Sequence, residues 1–273
     1  MNHALLQFNQ LRLIDDSDIN QSDIMTSFAI DDTLCLTATE TKQPAIHLWV
    51  HRPTVVLGIP DSRTPYINDG IQFLNEAGYK VIIRNSGGLA VLLDEGVLNL
   101  SLIFPEEKQF DIHDSYQAMV EFIRWLLEDE PYTIDAYEIS ESYCPGTYDL
   151  SINGQKFAGI SQRRVKQGTA VQIYLCIEGD GQKRADVVKQ FYEKAVQGEE
   201  TKFTYPSIKP DVMASLEQLL GKSLSTKEVK DQLLTKLKQR NIEVFNQAFT
   251  ETEQEWFDNR LNLMHKRNKT ISS

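Results

Sequence analysis

The sequence predicts an α+β protein: a largely antiparallel sheet flanked by helices and followed by a helical C-terminal tail. Three observations predict it. Apolar runs of strand length crowd the stretch between residues 45 and 177. Asn153-Gly154 separates two of these runs, and that pair is a strong signal for an antiparallel hairpin. From residue 186 onward the apolar positions recur at helical spacing instead.

The elements follow in order. The first forty residues are polar with scattered apolar positions, and Ile24, Phe28 and Leu34 line one face of an early helix. Ile46, Leu48 and Val50 alternate with His47, Trp49 and His51, which predicts a strand with two different faces. Pro53 punctuates it, and residues 54–57 resume the strand pattern up to Gly58. Residues 66–77 predict a helix, with Ile67, Ile71 and Leu74 on one face and Gly78 to relieve the left-handed turn at its end. A short strand over 81–83 feeds the turn Asn85-Ser86-Gly87-Gly88, then a further run over 90–93. Residues 98–104 predict a strand ended by Pro105. A helix is expected over 114–128, capped by Asp114 with Gln117 completing a capping pair, and closed by Pro131. Strands are expected over 148–152, 156–161 and 170–177. Helices are expected over 186–196, 212–220, 227–240 and 254–265, with Pro206 and Pro210 marking a linker before the tail.

Composition excludes several classes. The 273 residues are 41% hydrophobic, enough to bury a real core. Lysine and arginine number 28 against 39 acidic residues, a net charge of −11, which argues against a nucleic-acid binder. No apolar run approaches the ~20 residues that span a bilayer, so no membrane association is expected. The N-terminus lacks a basic or long apolar stretch, so no secretory signal is expected. The three cysteines, Cys35, Cys144 and Cys176, are far apart and fit reduced thiols in the cytoplasm. The histidines lack zinc-pair spacing, and there is neither a phosphate loop nor a Gly-x-Ser-x-Gly elbow. No metal or cofactor is expected.

Three motifs carry chemistry. In Arg84-Asn85-Ser86-Gly87-Gly88-Leu89-Ala90, two glycines let the backbone approach a ligand closely; taken alone the stretch is equally a tight turn. Cys144 precedes Pro145-Gly146 and therefore lies on a loop, where a thiol is accessible, whereas Cys35 and Cys176 sit among apolar neighbours and read as core. Lys156, in Gly154-Gln155-Lys156-Phe157-Ala158-Gly159, is either a solvated strand lysine or an ammonium aimed into a pocket, where it favours a nearby thiolate. Arg163, Arg164 and Lys166 add local positive charge, either a solvated face or a dock for an acidic partner.

These stretches, with Thr54-Val55-Val56-Leu57-Gly58, Leu98-Asn99-Leu100-Ser101 and Asp149, occur in an order that resembles the biotin/lipoate ligase and lipoyl transferase superfamily. The run Tyr143-Cys144-Pro145-Gly146-Thr147-Tyr148-Asp149, followed by Lys156-Phe157-Ala158-Gly159-Ile160-Ser161-Gln162-Arg163-Arg164, is similar to the octanoyl-[glycine cleavage system H protein]:protein N-octanoyltransferases of Gram-positive bacteria. The resemblance implies a biotin/lipoate ligase-like catalytic region over 42–248 within a single domain, 1–273. It implies that Cys144 carries the acyl group as a thioester and that Lys156 lowers its pKa. It further implies substrate contacts from Arg84, Ser86, Gly87, Gly88, Ala90, Asn99, Asp149 and Gly159, the glycine loop lining an acyl-chain tunnel. The implied donor is octanoylated H protein, and the implied acceptors are lipoyl domains of 2-oxoacid dehydrogenase E2 subunits. Leu89 stands where ATP-dependent lipoate ligases commonly carry Gly or Arg, and those ligases lack the cysteine. Transfer from octanoyl-acyl carrier protein and non-catalytic binding of lipoyl domains are the alternatives.

Overall fold

The structure is a computed structural model and describes residues 1–18, 23–105, 110–269 and 271. Among these, eight strands form a main sheet. From edge to edge they are Glu243–Phe245 (β11), Gln10–Asp16 (β1), Ala45–Trp49 (β2), Val97–Pro105 (β6), Gly168–Cys176 (β10), Gln155–Val165 (β9), Leu150–Ile152 (β8) and Asp135–Ala136 (β7). Only the β11–β1–β2 edge is parallel; the remaining pairs are antiparallel. A second sheet orders Lys80–Ile83 (β4), Thr54–Leu57 (β3) and Val91–Leu93 (β5). The predicted α+β class with mixed, largely antiparallel sheets is what the chain adopts.

Alternation along the strands builds two layers on the main sheet. Ile46 and Leu48, Leu100 and Leu102, Val171 and Ile173 turn to one face. There they pack against Ile112–Leu126 (α3), Leu216–Leu220 (α5) and Thr226–Gln239 (α6). The opposite face carries Ile24–Thr41 (α1), and Glu251–Asn268 (α7) packs over α1. The second sheet sits beside α1, with Ile67–Glu76 (α2) and Gly181–Val196 (α4) packed on it. No helix among the described residues is long and apolar enough to cross a membrane.

Several boundaries differ from expectation for definite reasons. The α3 helix starts at Ile112, because Asp111 and not Asp114 is the cap: it accepts from the amides of His113 and Asp114, and Asp114 completes the box in place of Gln117. β1 and β11 were not expected; three or seven residues without strict alternation give little signal. β9 runs four residues past Ser161 and turns back through Lys166-Gln167, where Lys166 has φ +54°. The Asn153-Gly154 hairpin forms as expected, with both residues at positive φ. The stretch from Pro206 to Pro210 is not a spacer. Ile208 is buried, the Lys209 amide donates to the Glu141 carbonyl, and Met213 bridges to Lys156.

Candidate active site

The register of the main sheet places one row of side chains across four strands: Trp49 beside Asn99, Asn99 beside Tyr174, and Tyr174 beside Gly159. These face α1 and the second sheet. With Phe28, Val56, Val91, Leu93, Ser161 and Gln172 they wall a narrow cavity that ends at Arg84 and Cys144. Gly159 is needed here because a Cβ would lie 2.6 Å from the Tyr174 ring. The cavity volume is about 40 Å³. A larger groove of about 960 Å³ lies between α2, β4 and the start of α1, but no residue of the cysteine loop lines it. Cys144 lines the narrow cavity and not the larger groove.

Cys144 adopts φ +45°, a left-handed conformation that costs an L-residue roughly 1–2 kcal/mol. Pro145 follows and disfavours the helical alternative. The strained turn is held from behind by Lys156, fully buried on β9. Its Nζ donates to Ser142 Oγ at 3.0 Å and to the carbonyls of Tyr143 and Cys144, both at 2.9 Å. It also pairs with Asp149 at 2.9 Å. Asp149 in turn accepts from the amides of Ile139 and Gly146. Burial pushes the Asp149 carboxyl up, and the Lys156 ammonium pulls it only part of the way back. Removing either partner strands a buried charge, at a cost of roughly 3–5 kcal/mol.

The sulfur faces the other way. Cys144 Sγ accepts from the Leu89 amide at 3.1 Å and from Arg84 Nη2 at 3.5 Å. Lys156 is thus fixed to the cysteine backbone, and the groups that touch the sulfur are Leu89 and Arg84. The lysine expected to act on the thiol is bonded to the carbonyl of the residue that carries it. Gly88, at φ +99°, lies so close that a Cβ there would be 2.9 Å from Sγ and 2.3 Å from Arg84 Nη2. Gly58 packs beneath it, its missing Cβ only 1.9 Å from the Gly88 carbonyl oxygen.

The remaining candidates divide. Arg84, Asn99 and Gly159 line the cavity. Gly88 closes over the thiol. Ser86, Gly87 and Ala90 are not in the cavity wall; Ser86 and Ala90 are buried and Gly87 is exposed at the loop tip. The expected lining by the whole loop is therefore carried by Arg84 alone. Arg163 is bound to Asp32 at 2.9 Å on the α1 side. It stands seven strand positions, roughly 23 Å, from Lys156. Arg164 and Lys166 are exposed on the same distant hairpin. Cys35 and Cys176 are buried, and burial pushes both thiols up. Sequence reasoning missed Leu89 as an amide donor, Ser142, Trp49 and Tyr174. Backbone amides leave no residue-type signal, and the two aromatics read as ordinary core.

Comparison with known proteins gives the family. The lipoyl protein ligase A/B catalytic domain matches residues 23–238. An octanoyl-[GcvH]:protein N-octanoyltransferase of Oceanobacillus iheyensis is 49% identical, over 97% of this chain and 98% of that protein. One of Geobacillus kaustophilus is 48% identical, over 99% and 96%. A lipoate-protein ligase A bound with ATP superposes at a TM-score of 0.71 with 17% identity, over 93% of this chain and 94% of that one, which shows the fold. The chain belongs to the lipoyl protein ligase A/B catalytic domain family, among the octanoyl-[GcvH]:protein N-octanoyltransferases.

Proposed function

We propose that the protein moves an octanoyl group from a lysine of the glycine cleavage system H protein to a lysine of E2 lipoyl domains, through a thioester on Cys144. The observation that carries this reading is the Cys144 thiol, held by two donors at the mouth of an apolar-walled cavity. Names of relatives supply the donor class.

The thiolate attacks the amide carbonyl of the octanoyl-lysine. Negative charge develops on the carbonyl oxygen, and Arg84 Nε, a buried donor without a partner, is available to meet it. The C–N bond then breaks, the lysine nitrogen takes up a proton and leaves, and the acyl group stays on sulfur. The amine of the second carrier's lysine attacks the thioester, loses a proton, and restores the thiolate. One amide is broken and one is formed, so no ATP enters the balance. Lys156 holds the strained Cys144 turn open toward the cavity, and its charge favours the thiolate from behind. The chain gains roughly 0.8 kcal/mol for each methylene it buries.

Side-by-side assays with purified octanoylated H protein and octanoyl-acyl carrier protein test the donor. The reading expects turnover with the H protein and little with the carrier. The reverse order would make the acyl carrier protein the donor.

A further inference from the structure

Asp61 is fully buried in a 3-10 turn, Asp61–Arg63, just after β3, and the mechanism above does not use it. Its Oδ2 accepts from the Gly58 amide at 2.7 Å. Its Oδ1 accepts from the Tyr192 hydroxyl of α4 at 2.8 Å. That hydroxyl accepts in turn from the Ala90 amide at 3.2 Å. The carboxylate therefore reaches the glycine loop at two points. Through Gly58 it fixes the backbone on which Gly88 rests. Through Tyr192 it fixes the residue after Leu89, whose own amide donates to the sulfur.

We propose that Asp61 is a positioning residue for the Cys144 thiol: it holds the Gly88-Leu89-Ala90 backbone so that the Leu89 amide points at Sγ. This rests on the reading of Cys144 as nucleophile. The groups facing Asp61 are Tyr192 from α4, the Arg84 guanidinium from the end of β4, and Tyr205, whose hydroxyl donates to the Pro60 carbonyl. Arg63 lies on the same turn, near Tyr205. Burial lifts the Asp61 carboxyl to about 6, against the pull of Gly58, Tyr192 and Arg84. On protonation one oxygen becomes a hydroxyl and accepts less well, so the loop loosens. The linkage runs the other way for the fold. Between the ordinary value of 3.8 and about 6, the folded state holds the extra proton. This group's contribution to stability therefore grows as pH falls.

The test is the rate of Cys144 alkylation by iodoacetamide, mapped by peptide mass, in the wild type and Asp61→Asn between about pH 5 and 8. Alkylation needs no acyl donor, so failure of the octanoyl reading leaves this result interpretable. The variant is expected to react about fivefold more slowly at the upper end, because the thiolate loses its amide donor. The ratio should close toward one below about pH 6, where the wild type carries a protonated Asp61. The wild-type melting temperature, relative to the variant, should rise over the same descent. A ratio that stays constant with pH, a variant as fast as the wild type, or a wild type that loses stability relative to the variant overturns the proposal. If Asp61→Asn does not fold, Tyr192→Phe removes only the hydroxyl that bridges to Ala90. It should slow alkylation about twofold or more, and a wild-type rate there overturns the proposal equally.

Discussion

Two neighbouring rows of side chains cross the same face of the main sheet, and they differ in what is left over. In one, His47, Ser101, Gln172 and Ser161 stand side by side. Asp31 of α1 ties three of them together. His47 Nδ1 lies 2.8 Å from Oδ1, and the Ser101 hydroxyl and Gln172 amide donate to Oδ2 at 2.7 and 2.6 Å. Ser161 donates to Gln172. In the next row, two residues along each strand, Trp49 Nε1 and Tyr174 OH are buried with no partner. Leaving a buried donor unpaired costs roughly 1–3 kcal/mol. The satisfied row anchors α1 to the sheet. The unsatisfied row, together with Ser161 and Gln172 of the first, walls the cavity below Cys144.

The contrast can be broken at several points. Cys144→Ser should lower transfer by about a thousandfold or more while the melting temperature holds, since only the nucleophile changes. Asp31→Ala should do the opposite. It strips Ser101 and Gln172 of their acceptor and leaves His47 with Asp16 alone, at a cost of roughly 3–5 kcal/mol, read by denaturant unfolding. Transfer per folded molecule should change far less. The same row sets a pH dependence. Burial pushes His47 down, but Asp16 and Asp31 outweigh it and lift the group to about 9. Its contribution is fully present below the ordinary value of 6.5 and is lost as pH rises through 9. Melting temperature should fall across that alkaline range, and His47→Gln should flatten the fall.

Smaller effects sharpen the other row. Tyr174→Phe removes a hydroxyl without a partner, so stability should stay within about 1 kcal/mol or rise. Transfer should fall by a fewfold as the wall changes; a large loss of stability would mean the hydroxyl is bonded after all. Smallest of all, Lys166→Glu should alter the KM for the donor protein less than about twofold, as for an exposed charge. A strong, salt-sensitive rise in KM would mark the hairpin as a docking site.

Much of this was legible in the residues. The hairpin at Asn153-Gly154, the helix ending at Gly78 and the loop position of Cys144 all follow from local backbone rules. Lys156 was legible as a candidate but not in its partners, because which carbonyls an ammonium meets depends on the turn at Cys144. The short edge strands β1 and β11 carry too few alternating positions to show. Asp61 lies in a Pro-Asp turn that reads as surface, yet it is fully buried. Its partner Tyr192 comes from a helix 131 residues away. Register across four strands, which decides that Trp49, Asn99, Tyr174 and Gly159 form one wall, is a product of the fold and has no local signature.

The most direct measurement is intact-protein mass after mixing the enzyme with octanoylated H protein, with no acceptor present. The wild type should gain one octanoyl group, released by hydroxylamine and mapped to Cys144, and Cys144→Ser should gain none. Transfer to a lipoyl domain by a wild type that never carries the group, or by Cys144→Ser at a near-normal rate, would contradict a thioester on this cysteine.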